Sequence, residues 1–330
     1  MSKSFEPSRR RILAGGLAAA VAGPSVARAQ AAWPTGPITW LNPFPAGGGT
    51  DVFARPLAAQ VGDQLGVQIL IDNKGGAGGT VGASQAAKMK PDGYTFFVGA
   101  VHHTIAPSIY RNLDYDLETS FIPLTMIALV PQVISINPAR VPVKTHAEFL
   151  DYVRKNPGKV NYASPGAGTA HHLAGELYKL ETKTEITHVP YRGAGPAMQD
   201  LLAGNVDMMF DGMGTSAQQI RQGRLIGLAT ATPQRVAEFP NIPTSAEVGV
   251  PNWIVSTWYG MWAIKGTPQP IVDRMYAEIA KALKTEKMQA IWKEQVAQIG
   301  GEPPAEFAKR IRTEIEKWQK VVAAAGVKLD

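Results

Sequence analysis

FIPLTMIALVPQVISIN, residues 121–137, stays apolar for longer than an ordinary strand and is broken at Pro123 and Pro131. Strands in globular proteins usually run about 5–6 residues. A run of this length predicts a strand that leaves one domain and enters another. A second crossing is expected at Ile254–Trp262, which is rich in aromatics. Two connections between two α/β lobes form a hinge with a cleft between them. They divide the chain into a discontinuous first lobe, residues 31–130 plus 255–330, and an inserted second lobe, residues 131–254.

Outward from this stretch, short strands alternate with amphipathic helices, the pattern of an α/β protein. Ile38–Leu41, Val67–Asp72, Tyr94–Gly99, Val160–Ser164, Val206–Phe210, Leu225–Ala229 and Tyr259–Ile264 are apolar runs edged by Gly, Pro, Asn or Asp, as buried parallel strands are. Helices are expected over 51–65, 81–90, 147–156, 170–179, 196–203 and 215–222. Pro56 removes one backbone bond from the first of these and is expected to kink or shorten it. The last sixty residues read as three consecutive helices without strands, over 268–284, 286–298 and 304–325. In the last, Phe307, Ile311, Ile315, Trp318 and Val322 share one face.

Hydrophobic residues make up 45% of the 330 and charged residues 18%, a globular balance that argues against disorder. The absence of cysteine excludes disulfides, thiolate catalysis and thiolate metal sites. The net charge of +6 is concentrated at the N-terminus, where Lys3, Arg9, Arg10, Arg11 and Arg28 face a single Glu6. Without residues 1–29 the chain has 28 basic against 26 acidic residues, too weak a surplus for a nucleic-acid partner.

That N-terminus reads as an address. Ser8-Arg9-Arg10-Arg11-Ile12-Leu13 resembles a twin-arginine export signal, and an alanine-rich apolar run to Ala22 is too short to span a bilayer. Ala27-Arg28-Ala29 places small residues where a signal peptidase reads them. Cleavage is expected after Ala29, and the mature chain is expected in the periplasm.

Three glycine-rich turns stand between a strand and a helix: Phe44-Pro45-Ala46-Gly47-Gly48-Gly49-Thr50, Gly75-Gly76-Ala77-Gly78-Gly79-Thr80 and Ser164-Pro165-Gly166-Ala167-Gly168-Thr169. A helix start presents unpaired N–H groups and about half a positive charge. Glycine lets the backbone approach a ligand, and Thr caps the helix or offers its hydroxyl. Such a turn is an anion site. Nucleotide phosphate is disfavoured: no turn ends in Gly-Lys-Ser/Thr, and Val81 stands where a dinucleotide fingerprint needs its third glycine. Gly82-Ala83-Ser84-Gln85-Ala86 fails the serine-hydrolase elbow at its last residue.

Several side chains compete for roles at these turns. His102 and His103 follow a strand and so lie at its carboxyl end, where α/β proteins bind ligands. His172 and Glu176 have metal-ligand spacing, but no third ligand can be named, and no metal or cofactor is expected. Arg192, in Pro190-Tyr191-Arg192-Gly193, has the chemistry to clamp a carboxylate, or lies on the surface. Asp51 caps or charges its helix start. Asp211 accepts from a ligand hydroxyl or ammonium, or braces the turn at Gly212.

Taken in order, Pro43–Asp51, Asp72–Gly82, Pro91-Asp92-Gly93-Tyr94, Tyr162–His172, Val189–Gly193, Val206–Asp211, and Ile242-Pro243-Thr244 with Glu247 make the mature chain resemble the periplasmic substrate-binding proteins of tripartite tricarboxylate transporters, the Bug family. The resemblance covers nearly all of the mature length. It implies a two-lobed Venus flytrap of the type II periplasmic-binding-protein fold that closes on a small carboxylate or dicarboxylate. It also implies that the loops Phe44–Thr50 and Ser164–His171, the latter including Ala170, hold the ligand's acid groups, and that Arg192 often stands as lysine in relatives.

The expected function is non-enzymatic: a monomer captures a small organic carboxylate and presents the closed form to the permease subunits of a tripartite transporter. The alternative is a sensor that presents the same closed form to a receptor kinase. Both require the turns around residues 47–50 and 166–169 to converge on one gap.

Overall fold

The structure, a computed structural model, describes residue 1 and residues 33–326. The twin-arginine segment and its cleavage site lie outside the described residues. The chain forms two compact units, Met1–Thr35 and Gly36–Asp330, and the described strands and helices belong to the second.

β1 (Ile38–Asn42) pairs in parallel with β2 (Ile69–Asn73) on one side and β3 (Thr95–Ala100) on the other. Ile38, Trp40, Phe96, Phe97 and Val98 are fully buried, which is why these short runs carry no polar alternation. The long apolar stretch is a single 16-residue strand, β4 (Phe121–Ile136). Its first part, to Pro131, pairs antiparallel with β9 (Ser256–Ile264), which in turn pairs antiparallel with β3. Its last part, from Gln132, pairs antiparallel with β7 (Met208–Gly212) and β8 (Ile226–Thr230). β5 (Asn161–Ser164) joins β7 in parallel and carries β6 (Thr187–Pro190) at the edge. The strand order is therefore β2-β1-β3-β9-β4-β7-β5-β6. One strand changes sheets, and each half keeps its own set of parallel strands. The segment Ile254–Trp262 does not cross in the same way. β9 pairs only within the first set, and the chain arrives there through the irregular residues before it, where Val255 N–H donates to Ala231 O at 3.1 Å.

The helices that matter to the site start where parallel strands end. α1 (Gly49–Leu65) follows β1, α2 (Thr80–Ala87) follows β2 through a short 3-10 turn, and α3 (His102–Ile109) follows β3. α4 (His146–Lys155) opens on a capping box in which the Thr145 hydroxyl and the Glu148 carboxylate satisfy each other's backbone. α5 (Ala170–Thr182) follows β5, α6 (Ala194–Ala203) follows β6 and α7 (Met213–Arg221) follows β7. Pro56 does not shorten α1, which runs for 17 residues. Phe53, Leu57 and Val61 are fully buried on that helix, and their burial outweighs one missing backbone bond.

α8 (Gln269–Leu283), α9 (Glu286–Glu294) and α10 (Pro304–Ala325) form the C-terminal cap. Phe307, Ile311, Trp318 and Val322 are buried along α10 as expected, with Ile315 partly buried. The strand-free reading of this region needs one correction. α9 ends at Glu294, Val296 takes φ 55°, and the two-residue β10 (Gln298–Ile299) pairs with β4 at Ala128 and Leu129.

Candidate functional site

The helix starts of the two halves meet face to face. The Gly47–Gly49 turn at the head of α1 lies against the Gly193–Gly195 turn at the head of α6, and a Cβ placed on Gly195 would sit 2.6 Å from Ala46 O. The Gly76–Gly79 turn ahead of α2 lies against the Gly166–Gly168 turn ahead of α5, and a Cβ on Gly78 would sit 2.9 Å from Ala167 O. Glycine is needed here because backbone packs directly on backbone across the gap.

Between the first pair of turns lies a cavity. Phe44, Gly48, Gly49 and Thr50 wall it from one half; Pro165, His171 and Ala194 wall it from the other. His102 and Tyr259 complete it. Its volume is about 10 Å³, room for about one water. Nothing larger than a water fits it as it stands.

The two ends of this site are prepared differently. The N-caps of α1 and α6, Gly48 and Gly193, have no side-chain cap, so the first-turn amides there depend on whatever fills the gap. At α5 the N–H groups are already served. Thr169 Oγ1 accepts from His172 N–H at 3.3 Å, His172 Nδ1 accepts from Gly168 N–H at 3.1 Å, and His102 Nδ1 accepts from Ala170 N–H at 3.0 Å. The last bond spans the gap from α3 to α5. It also fixes the tautomer: a ring nitrogen that accepts carries no proton, so His102 bears its proton on Nε2. Burial, then the neighbouring His171 and His103, hold the His102 pKa well below its usual value, so the ring is neutral at pH 7.

Behind the cavity wall, His171 Nε2 lies 3.5 Å from Asp211 Oδ1. Both residues are buried, at 3% and 0% side-chain exposure. Thr215 Oγ1 and Ser216 Oγ donate to Asp211 Oδ2 at 2.5 and 2.6 Å. Among the described residues, Asp211 Oδ1 and His171 Nδ1 find no hydrogen-bond partner. Burial first, then the Asp211 carboxyl, raises the Tyr259 pKa, so its phenol stays protonated. That phenol packs on Gly49, where a Cβ would meet the hydroxyl at 2.0 Å.

Of the side chains expected at the site, Phe44, Thr50, His102 and His171 reach the cavity, together with the backbone of Gly48 and Gly49. Ala46 and Gly47 are exposed at the mouth of the same turn. The others brace the scaffold. Thr80 Oγ1 donates to Ala77 O at 2.9 Å. His103 sits with Nδ1 against the Ala100 backbone and Nε2 3.4 Å from Gly79 O. Ser164 Oγ accepts from Gly166 N–H at 3.2 Å and lies 2.6 Å from His188 Nε2, while Thr169 Oγ1 donates to Gly166 O at 2.8 Å. Gly166, Gly168 and Ala170 shape the α5 turn without walling the cavity. The Tyr191 hydroxyl is turned away from the cavity and donates to Asp200 Oδ2 at 2.6 Å. Arg192 is exposed, and among the described residues no arginine walls this cavity. Asp51 also braces its turn: its carboxyl takes Gly47 N–H at 3.0 Å and Arg55 Nε at 2.7 Å. Burial raises its pKa, but Arg55, Gly47 and Asn73 outweigh that and leave it lowered.

Sequence reasoning missed Tyr259 and Ala194 as wall residues, and reached Pro165 only as part of the loop Ser164–His171. The signal for Ala194 was present. Val189–Pro190 followed by Gly193-Ala194-Gly195 repeats the strand, glycine, helix order of the three turns that were recognised. A larger groove of about 410 Å³ lies beside the crossing strands, touched by Leu129, Pro131, Arg235 and Ile254. No helix start lines it, and Arg235 is held by Glu247 at 2.9 Å.

Residues 53–327 match the family described as "Tripartite tricarboxylate transporter family receptor". Over 315 residues the chain is 36% identical to a protein of the tcbD-tcbE intergenic region of Pseudomonas sp. strain P51, covering 95% of this chain and 94% of that one. It is 33% identical to the protein BugT of Bordetella pertussis, covering 95% and 97%. Among solved structures, the periplasmic binding protein BugD superposes with a TM-score of 0.87 at 35% identity, covering 90% of this chain and 100% of that one. R. palustris Rpa4515 with adipate gives 0.86 at 35%, covering 90% and 100%. MatC of Rhodopseudomonas palustris with bound malate gives 0.82 at 32%, covering 88% and 99%. Facing helix starts on a two-lobed α/β frame, and this likeness along nearly the whole chain, lead to one assignment: the chain belongs to the tripartite tricarboxylate transporter receptors, the Bug family of periplasmic solute-binding proteins.

Proposed function

We propose that the chain captures a small organic carboxylate in the cleft between its lobes, residues 31–130 plus 255–330 and residues 131–254, and delivers it to the permease subunits of a tripartite transporter. The observation that carries this reading is the meeting of two helix starts, those of α1 and α6, neither with a side-chain cap. Their amides, with Thr50 and His102, receive the acid; charge-assisted bonds of this kind contribute about 1.5–3 kcal/mol each. Ser164, Gly166, Gly168, Thr169 and Ala170 hold the opposing turn in place. Relatives with adipate and malate support a carboxylate as the ligand class. Binding shifts the lobes towards the closed form, and the permease reads that form. The protein works as a monomer and reaches the periplasm by the twin-arginine route, with cleavage after Ala29.

A thermal-shift screen over small mono-, di- and tricarboxylates tests the reading. An acid at 100 times its dissociation constant adds roughly 2.7 kcal/mol of stability. No stabilisation by any acid at millimolar concentration would sink the proposal. N-terminal sequencing of periplasmic protein tests the export route: a chain beginning at Gln30 agrees with it, and a retained Met1 does not.

A further inference from the structure

We infer that His102 is a proton-sensitive latch on the cleft: its neutral ring ties the two halves of the ligand-free molecule together, and a proton taken from the medium lets them part. The inference rests on the parting of the halves in the reading above, and its test uses no ligand.

The latch is one bond. His102, at the head of α3 in the first half, accepts the N–H of Ala170, at the head of α5 in the second, with Nδ1 and N 3.0 Å apart. Both residues are buried, so water does not serve that N–H while the halves are together. The bond needs a lone pair on Nδ1. An imidazolium carries a proton there and sets donor against donor. Other bonds that join the halves lack this property. The Tyr110 hydroxyl donates to Ala167 O at 3.0 Å, and Arg221 Nη1 donates to Glu294 O at 2.8 Å. Burial raises the Tyr110 pKa, and arginine keeps its charge throughout.

The surroundings give an imidazolium nothing to pair with. On α3 the ring adjoins His103 and sits in the first turn, the positive end of that helix. Across the gap it meets the start of α5 and His171, with ring centroids 5.4 Å apart. Phe44 packs edge-on, also at 5.4 Å. To the same cavity α1 brings Thr50 and its uncapped start, α6 brings Ala194, and β9 brings the Tyr259 phenol, which stays protonated. Among the described residues no carboxylate walls this cavity. Asp51 is tied to Arg55, and Asp211 lies beside His171.

Once the halves part, the ring faces water and titrates near 6.5. While they are together, burial first, then His171 and His103, hold it well below that value. The parted form therefore binds a proton that the closed form does not. Below about pH 6.5 the ratio of parted to closed molecules grows about tenfold per pH unit, until the closed-form ring itself takes a proton; above 6.5 the ratio is level. His172 also accepts a backbone N–H on Nδ1, from Gly168, and His103 is held by Ala100 and Gly79, but these contacts lie within one half and survive the parting.

Amide exchange followed by NMR on the ligand-free protein tests this. With the intrinsic pH dependence of exchange divided out, protection of the Ala170 N–H is expected to stay level from pH 8.0 to 7.0 and to fall about tenfold from 6.5 to 5.5. His102→Asn keeps an acceptor, its amide oxygen, that does not titrate, and its Ala170 protection is expected to be level throughout. The Trp40 N–H in β1 is expected to be better protected than Ala170 at each pH, which marks the event as an opening short of unfolding. A level response in wild type overturns the inference. So does the same fall in His102→Asn, or equal protection of Ala170 and Trp40. If the variant does not fold, the ring nitrogen shifts of wild-type His102 decide: a bare Nδ1 at pH 7.5 beside the fall at Ala170 upholds the latch, and a proton on Nδ1 overturns it. An acid that binds while Ala170 ignores pH leaves the carboxylate reading standing without the latch; a responsive Ala170 with no acid bound leaves the reverse.

Discussion

At the residue scale, His102, His103 and His146 are buried neutral groups, and that has a sign in pH. Burial lowers the His103 pKa to about 4, even though bonds to the Ala100 and Gly79 backbone raise it somewhat. In the unfolded chain the same ring titrates near 6.5. Between about pH 6.5 and pH 4 the unfolded state therefore holds a proton that the native state does not, so stability is complete above 6.5 and falls as pH drops. The expected slope from one such group is about 1.4 kcal/mol per pH unit. His146, also lowered to about 4 by burial, adds to it. His103→Gln, which cannot titrate, is expected to reduce the pH dependence of urea unfolding by about one proton across this window. An unchanged slope would mean that His103 is not neutral in the native state. The Ala170 N–H bond to His102 makes a related prediction. His102→Ala leaves that buried donor unpaired and is expected to cost about 1–3 kcal/mol in urea melts at pH 7.5, where the wild-type ring is neutral.

At the element scale, what was legible depended on whether an element buries a continuous apolar run. β1, β3, β5 and the long β4 were readable because nearly every side chain on them faces a core, and the α10 face was readable from its helical period. β6 was not readable: Thr187-His188-Val189-Pro190 is a partly exposed edge strand with no apolar period. α3 was hidden because His102-His103-Thr104 at its head and Pro107 inside it match no helical signature, although the helix is buried and sits at the centre of the site. The glycine turns were readable as helix starts, but which turn faces which is a property of the tertiary fold. The α1 turn faces that of α6, while the α5 turn faces that of α2. Gly195→Ala tests the consequence of that pairing. Its methyl would fall 2.6 Å from Ala46 O, a backbone atom that yields only if the lobes stay apart. Alanine also favours helix over glycine by up to about 1 kcal/mol, so the fold itself should be unharmed. The expected result is ligand affinity reduced at least tenfold, about 1.4 kcal/mol, with the variant still folded by far-ultraviolet circular dichroism. Wild-type affinity in calorimetry would show that the two turns do not need to touch.

At the scale of the whole molecule, the cavity holds about one water and its walls belong to two halves joined by β4, so the proposed capture is a motion. Gln132 Nε2 donates to Thr257 Oγ1 at 2.9 Å where β4 changes sheets, which ties the crossing strand to β9 at the pivot. The contacts that separate on opening lie across the cleft: Ala170 N–H with His102 Nδ1, and the Tyr110 hydroxyl, which donates to Ala167 O at 3.0 Å. Tyr110 does not wall the cavity, so a change there acts on closure and not on ligand contact. Removing its hydroxyl deletes one bond of about 0.5–1.5 kcal/mol that exists only in the closed form. The apparent dissociation constant scales inversely with the fraction of molecules able to close. Tyr110→Phe is therefore expected to weaken binding two- to tenfold, with the preference among acids unchanged. Small-angle scattering of the ligand-free variant should show a larger radius of gyration than wild type. A variant that binds and scatters as wild type does would mean that the two halves do not move as bodies about β4, and the capture mechanism would have to be sought in the turns alone.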